Sequence, residues 1–206
     1  MTVSPLARRI ARHLDAADPI LGKLIQRVGV HDIDWSPAGF SALARSIIFQ
    51  QISWAAGNSI CRRVREVAGK RGFPPATWFL QASTKELRKA GLSPQKTGYL
   101  RDLARRVVDG EIVFSRMRYL TDEEVIEELT RVHGIGRWTA QMYLLFNMRR
   151  PDVLPSGDLG VRKGVQRVYG YRSLPSEHTV QRHGERWHPY CSWGTYYMWR
   201  SLDNMR

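Results

Sequence analysis

The sequence of 206 residues predicts an all-α fold, and three observations support this class. Apolar residues recur at intervals of three and four along most of the chain, which places them on one face of a helix. Capping residues followed by proline, or by glutamate three positions later, stand before several of these segments and mark helix N-termini. No segment combines apolar–polar alternation with the turn dipeptides of hairpins, so we expect no β-sheet.

The first two predicted helices follow each other closely. Ser36 and Pro37 are typical of an N-cap followed by proline at the first helical position. Ser53 is the expected N-cap of the second helix, which ends before the glycines at Gly69 and Gly72. The apolar residues at helical spacing are Phe40, Leu43, Ala44, Ile47 and Ile48 in the first helix, and Ile60, Val64 and Val67 in the second.

Further helix starts are indicated downstream. Ser83 with Glu86, and Thr121 with Glu124, fit the capping box, in which the two side chains cap each other's backbone N–H groups. A proline also follows a serine at position 93, which predicts a helix ending near position 110. The helix from Thr121 should run to about position 132, and we expect a loop at residues 111–114.

A strong positive charge is the main feature of the composition. The chain has 32 lysines and arginines against 19 acids, a formal net charge of +13, and a sequence pI of about 10.3. A pI above about 9 is typical of nucleic-acid-binding domains. A ribosome-associated protein, or a basic surface without a nucleic-acid partner, also fits this composition.

The cysteine count and the hydropathy exclude several classes. Two cysteines, Cys61 and Cys191, are too few for a disulfide framework or for a four-ligand zinc or iron–sulfur site. No apolar run approaches the roughly 20 residues that span a bilayer. The first apolar residues are interrupted by arginines, unlike a signal peptide. We therefore expect a soluble intracellular protein with no membrane partner.

A glycine turn lies between two predicted helices at residues 129–140. Gly134 and Gly136 permit positive φ and a close backbone approach, and Ile135 can fill the space between the helices. The apolar residues that would pack the hairpin are Leu129, Val132 and Ala140. The second helix begins with outward-pointing N–H groups, which bind phosphate, and Arg137 adds a cation. We predict a hairpin that binds the DNA backbone without sequence preference; the alternative is a turn with no special purpose.

A carboxylate follows the second helix of the hairpin. Asp158 stands where a loop containing Pro151, Pro155 and Gly157 gives way to a helix predicted from Leu159 to about position 168. An aspartate at such a position is most often an N-cap, worth about 0.5–2 kcal/mol to the helix. A second role for the same carboxylate is compatible with capping.

A helical hairpin followed by a Gly/Pro-rich loop that ends in aspartate resembles the HhH-GPD superfamily of base-excision DNA glycosylases. The resemblance runs from about Phe40 to Trp199 and implies a two-lobed helical fold with the active-site cleft between the lobes. We expect one glycosylase unit over residues 1–206. One lobe would take about residues 37–150 and the other residues 1–36 with 151–206. The resemblance also implies that Asp158 is the catalytic residue.

Within the superfamily, the chain is similar to the compact form of the 3-methyladenine DNA glycosylase II branch. Members of this branch insert a side chain into the duplex from a turn that resembles residues 44–53, and by position that side chain is Gln51. The alternative is that Gln50 and Gln51 form only a polar helix end. Bifunctional members carry a Schiff-base lysine where this chain has Trp138, so we expect no lyase activity. The residues expected to bind DNA are Gly134, Ile135, Gly136, Arg137, Thr139, Gln50, Gln51 and Ser53.

Aromatic residues are abundant, with seven tryptophans and eight tyrosines, and most of them must be core. The resemblance implies that three line the base pocket: Trp138, Trp199 and Trp187. A purine alkylated at N3 or N7 is cationic, and aromatic faces attract cations. The resemblance further implies no cofactor for catalysis and a monovalent cation, Na⁺ or K⁺, at the hairpin. Its ligands would be the backbone carbonyls of Thr130, Val132 and Ile135.

These implications predict a monofunctional glycosylase that flips alkylated bases out of double-stranded DNA and hydrolyses their N-glycosidic bonds. Candidate substrates are 3-methyladenine, 7-methylguanine and ethenoadenine. The alternatives are a mismatch or deaminated-base glycosylase of the same superfamily and a non-catalytic hairpin protein that binds DNA. We expect a monomer, in the cytoplasm with the nucleoid if bacterial, or in the nucleus if eukaryotic.

Overall fold

A computed structural model describes residues 3–203, which form 13 helices joined by loops and contain no strand. The all-α prediction is therefore confirmed for this part of the chain. The helices are α1 (Pro5–Ala17), α2 (Pro19–Val28), α3 (Phe40–Phe49), α4 (Trp54–Val67), α5 (Ala76–Gln81), α6 (Thr84–Lys89), α7 (Pro94–Val108), α8 (Phe114–Met117), α9 (Asp122–Thr130), α10 (Arg137–Phe146), α11 (Leu159–Tyr169), α12 (Glu177–Gly184) and α13 (Cys191–Asp203).

The helices group into two compact units. Ser36–Met148 form one unit, and the other contains residues 3–35 and 149–203. No helix among residues 3–203 combines the length and the apolar character that crossing a membrane requires.

Helix α7 is the centre of the unit Ser36–Met148. It packs against α3, α5 and α6, while α9 packs against α10. Its inner residues Leu100 and Leu103 are fully buried, as are Leu43 and Ile47 of α3. Both predicted capping boxes are present, at Ser83–Glu86 and Thr121–Glu124.

The start of α3 differs from the prediction. The helix begins at Phe40 with Gly39 as its N-cap, rather than at Ser36 and Pro37. The backbone N–H of Ser36 donates to the carbonyl of Phe146 at 3.0 Å, and the N–H of Gly39 donates to the Tyr143 hydroxyl at 2.8 Å. These tertiary hydrogen bonds hold residues 36–39 outside the helix, so the local capping pattern is overridden.

In the other unit, α13 packs against both α11 and α2. Gly164 permits the close approach of α11 to α13, because a Cβ at this position would lie 2.4 Å from the carbonyl oxygen of Met198. At the junction of α1 and α2, the buried carboxylate of Asp18 caps α2. It also accepts hydrogen bonds from the Tyr169 hydroxyl at 2.5 Å and from the Trp187 indole at 3.2 Å. These contacts fix α11, and the segment that precedes α13, against the N-terminal helices.

Candidate active site and nucleic-acid interface

Asp158 is the N-cap of α11, as the sequence predicts. Its Oδ1 accepts the backbone N–H of Val161 at 2.8 Å, so the carboxylate lies at the positive end of the helix dipole. The same oxygen accepts the indole N–H of Trp199 at 2.8 Å. The side chain is half-buried. Two donors from different helices therefore hold one carboxylate oxygen in a defined orientation.

Trp199 reaches Asp158 because α13 packs closely along α11. Gly160, the second residue of α11, lies under the indole: a Cβ there would approach Trp199 Cδ1 to 2.9 Å and Asp158 Oδ1 to 3.0 Å. Any side chain at position 160 would push the indole off the carboxylate. Sequence reasoning missed Gly160, although a glycine in the first turn of a helix indicates a close neighbour.

The predicted pocket tryptophans lie in three different environments. Trp199 is half-buried beside Asp158, and Trp138 is 53% exposed near the start of α10. Trp187 is fully buried and hydrogen-bonded to Asp18. Its assignment to a base pocket is wrong in this structure, because the ring has no open face, and we place it in the core.

The hairpin forms as predicted between α9 and α10. Ile135 is buried at 3% exposure between the two helices. Gly134 has φ 84°, and a Cβ there would lie 2.2 Å from the Tyr99 ring on α7, so both conformation and contact require glycine. Gly136 differs from the prediction: its backbone is extended, with φ −92°. A Cβ at position 136 would have no neighbour within 4 Å, which leaves this end of α10 open.

Two side chains at the start of α10 are less available for DNA binding than the sequence predicts. The Arg137 guanidinium forms a two-pronged ion pair with Glu123 on α9, at 2.6 and 2.7 Å. The Glu123 carboxylate raises the pKa of Arg137. Thr139 is buried at 7% exposure, so its side chain packs inside the unit. Phosphate binding at this helix end would therefore rely chiefly on backbone N–H groups.

The turn between α3 and α4, residues 50–53, is fastened to the hairpin; we call it the wedge turn. Gln50 Nε2 donates to the carbonyl of Gly134 at 2.7 Å. Lys96 on α7 donates to the carbonyls of Ile48 and Gln50, at 2.6 and 2.8 Å, and burial lowers the pKa of this lysine. Gln50 thus positions the hairpin in this structure, instead of pointing outward to DNA.

Gln51 projects from the wedge turn in a conformation that is rare for its type. It is exposed and has φ 56°, in the left-handed region. Such conformations cost a residue with a side chain about 1–2 kcal/mol and concentrate at functional sites. Ser53 caps α4 by accepting the N–H of Ala56 at 3.2 Å, so its oxygen serves the helix.

Trp54, the first residue of α4, was missed by sequence reasoning. It is 71% exposed, and its ring lies 4.7 Å from that of Phe49 across the wedge turn. The Arg45 guanidinium lies 5.9 Å from the same Phe49 ring. A large exposed aromatic, with an arginine on the neighbouring ring, is typical of binding surfaces. The available clue was a tryptophan at a helix start, outside the apolar face.

Asp102 on α7 anchors the turn of the hairpin. It accepts the backbone N–H of His133 at 2.9 Å, and the same carboxylate oxygen lies 2.9 Å from His133 Nδ1. Burial alone would raise the pKa of Asp102, but the hydrogen bonds from His133, Arg105 and Arg106 outweigh it and hold the pKa well below its usual range. Helix α7 therefore supports both the hairpin and the wedge turn.

Comparison with known proteins identifies the family. Residues 44–189 match the model of the HhH-GPD superfamily of base excision DNA repair proteins. The chain belongs to this superfamily. Among curated proteins of the same family, DNA-3-methyladenine glycosylase 1 of Schizosaccharomyces pombe is 29% identical over 193 residues, which cover 92% of this chain and 85% of the yeast protein.

Solved HhH-GPD structures share the whole fold. A DNA-3-methyladenine glycosidase from Bacillus halodurans superimposes with a TM-score of 0.88 at 31% identity, covering 98% of this chain and 90% of the other. The Schizosaccharomyces pombe 3-methyladenine DNA glycosylase Mag1, solved in complex with abasic DNA, superimposes with a TM-score of 0.83 at 28% identity, covering 96% and 98%. The HhH-GPD match includes the hairpin and Asp158, while Trp199 lies beyond its last matched residue.

Proposed function

We propose that this HhH-GPD protein is a monofunctional DNA glycosylase that hydrolyses the N-glycosidic bond of alkylated bases, with Asp158 as its catalytic residue. The observation that carries the proposal is the half-buried Asp158 carboxylate, held by the Val161 N–H and the Trp199 indole. The named activity of the relatives, 3-methyladenine DNA glycosylase, supports the substrate class.

The chemistry of alkylated purines fits a site with one such carboxylate. Glycoside hydrolysis ordinarily uses two carboxylates, one of which protonates the leaving group. A purine alkylated at N3 or N7 is cationic and leaves as a neutral base, so it needs no acid. Asp158 then stabilises the positive charge that develops on the sugar and orients the attacking water, whose proton it accepts. Because two donors fix Oδ1, the carboxylate needs little reorganisation as the charge develops.

DNA binding is assigned to the wedge turn and the hairpin. The N-terminal N–H groups of α10, beside the open Gly136, would hold a backbone phosphate. Gln51 would enter the duplex where the damaged base leaves the stack, and Trp54 would contact the adjoining nucleotides. Lys96 and Gln50 keep these two elements at a fixed separation.

We also propose that the hairpin backbone holds the implied monovalent cation. The carbonyl of Val132 accepts the N–H of Ile135 at 3.0 Å, and a carbonyl oxygen has a second lone pair for a hard cation. With Thr130 and Ile135, it would hold Na⁺ or K⁺, which would add positive charge for a DNA phosphate.

The residue at position 138 bears on whether the DNA strand is cleaved after base release. Trp138 occupies the position at which bifunctional relatives are expected to carry a lysine, and an indole cannot form a Schiff base. The proposed products are therefore a free base and an intact abasic strand. The protein would act as a monomer in a DNA-containing compartment.

The test is a panel of matched duplexes containing 3-methyladenine, 7-methylguanine, ethenoadenine, hypoxanthine or uracil, with base release and strand cleavage measured separately. The proposal predicts release of the two cationic bases, 3-methyladenine and 7-methylguanine, without strand cleavage. Release of uracil or hypoxanthine alone would contradict the substrate class. Tight duplex binding with no release from any member would show a non-catalytic hairpin protein.

A further inference from the structure

Three metal-ligating side chains meet away from Asp158, within the unit that contains it. His188 Nδ1 lies 2.7 Å from Asp152 Oδ2 and 3.6 Å from Cys191 Sγ. The backbone N–H of Cys191 donates to Asp152 Oδ1 at 3.1 Å. The potential ligand atoms of all three side chains lie within 4.8 Å of one another. Neither the hairpin nor the proposed mechanism uses this cluster.

The cluster joins the two segments that carry Asp158 and Trp199. Asp152 lies on the loop that leads to Asp158, and Cys191 is the first residue of α13, which carries Trp199 two turns later. Cys191 is fully buried, whereas the His188 side chain is 57% exposed. The cluster therefore has a closed side, formed by the thiol, and an open side, through which an ion and a water molecule can enter.

We propose that Asp152, His188 and Cys191 form a binding site for a divalent transition-metal ion of the zinc class. A tetrahedral zinc ion, with Zn–N near 2.05 Å and Zn–S near 2.3 Å, holds its nitrogen and sulfur ligands about 3.6 Å apart. This is the distance between His188 Nδ1 and Cys191 Sγ. The corresponding nitrogen–oxygen separation is about 3.3 Å, so the His188–Asp152 contact of 2.7 Å must open by about 0.6 Å.

The ligand types select the metal. One thiolate, one imidazole and one carboxylate favour Zn²⁺ or Co²⁺ over Mg²⁺ and Ca²⁺, which prefer oxygen ligands only. Water at the exposed side of His188 completes four ligands. The His188 carbonyl accepts a hydrogen bond from the His13 ring, if that ring is protonated at Nε2, at 2.9 Å. This bond ties the backbone of the ligand loop to α1.

Binding requires a defined change in protons. The Cys191 thiol, which donates to the carbonyl of Gly184 at 3.4 Å, must lose its proton to solvent. His188 must carry its proton on Nε2 so that the Nδ1 lone pair faces the metal. The Asp152 carboxylate already accepts a hydrogen bond from the Cys191 backbone N–H, and it loses no proton on binding the metal. One proton is therefore released for each ion bound to a chain whose His188 is neutral, and no bond is oxidised or reduced.

Cobalt provides a direct assay with untagged, chelator-treated protein. Titration with Co²⁺ should produce a thiolate-to-cobalt charge-transfer band and the visible bands of tetrahedral cobalt, saturating at one ion per chain, and Zn²⁺ should displace both. At a hundredfold excess over Kd, Zn²⁺ should raise the Tm by about 5–10 °C. Base release from methylated DNA, followed on the same samples, reports separately on the proposed function.

Two substitutions and a matched control complete the test. Cys191→Ser should abolish the charge-transfer band, and His188→Gln, at a side chain that is 57% exposed, should weaken cobalt binding at least tenfold. Cys61→Ser removes the other buried cysteine, in the other unit, and should leave both signals unchanged. Absence of the band in the parent protein, its persistence in Cys191→Ser, or its loss in Cys61→Ser would overturn the metal site.

Discussion

The backbone conformation of Gln51 predicts that its substitution by glycine raises the stability of the protein and lowers its activity. Gln51 is exposed and has φ 56°, so its side chain contributes strain but little packing. The left-handed conformation costs about 1–2 kcal/mol in a residue with a Cβ, and glycine costs about 0.5–1 kcal/mol more than alanine in chain entropy. Gln51→Gly should therefore raise the free energy of unfolding by about 0.5–1 kcal/mol, a Tm increase of about 1–4 °C. Gln51→Ala retains the Cβ and should leave stability within about 0.5 kcal/mol of the parent.

Both substitutions remove the side chain that is proposed to enter the duplex. Each should slow single-turnover base release by about tenfold, equivalent to 1.4 kcal/mol, because the gap left by the extruded base is no longer filled. Thermal unfolding and base release on one set of samples make the comparison. A lower Tm in Gln51→Gly would refute the strain argument, and full activity in both variants would refute the role of Gln51 in the duplex.

Three further predictions concern the residues around these sites. Trp54→Ala should weaken binding to a duplex with an abasic-site analogue by at least fivefold. Tyr119→Ala, which removes an equally exposed aromatic from another part of the same unit, should not; equal effects would contradict a DNA contact at Trp54. Asp102→Asn should destabilise the chain by about 1.5–3 kcal/mol at neutral pH. Because folding lowers the pKa of Asp102, the stability difference between parent and variant should be constant above about pH 5. It should shrink as the pH falls below the unfolded pKa of about 3.9. A stability difference that does not change with pH in acid denaturation would contradict the role of the charged carboxylate. Trp199→Phe removes the N–H donor and should slow base release about 10–100-fold with little change in DNA binding. Trp193→Phe on the same helix controls for the lost indole volume. Equal losses of base-release rate in the two variants would contradict the role of Trp199 in positioning Asp158.

Local patterns in the sequence predicted those features whose causes are local. Both capping boxes, the Ser53 cap of α4 and the Asp158 cap of α11 depend on atoms within three residues of the cap. Ile135 and the hairpin also follow from a short segment, since a buried residue between two glycines closes the turn. These elements were predicted because their hydrogen bonds and packing lie within one stretch of chain.

The misplaced or missed features depend on distant partners. Ser36 does not start a helix because its N–H is bonded to Phe146, 110 positions later. Gln50 faces the hairpin because the carbonyl of Gly134 accepts its amide. Trp187 is in the core because the buried Asp18 carboxylate accepts the hydrogen bond of its indole N–H. No local pattern encodes these pairings, so composition and periodicity could not distinguish a pocket tryptophan from a core one.

The measurement that tests the account most directly is single-turnover base release from methylated duplex by Asp158→Asn. Asparagine caps a helix as well as aspartate does, and its carbonyl oxygen can still accept the Trp199 N–H, so the substitution removes charge while retaining the hydrogen bonds. The account predicts a rate loss of at least about 100–1000-fold, with unchanged Tm and retained binding to an abasic-site analogue. Base release at the parental rate by a folded Asp158→Asn protein would contradict it.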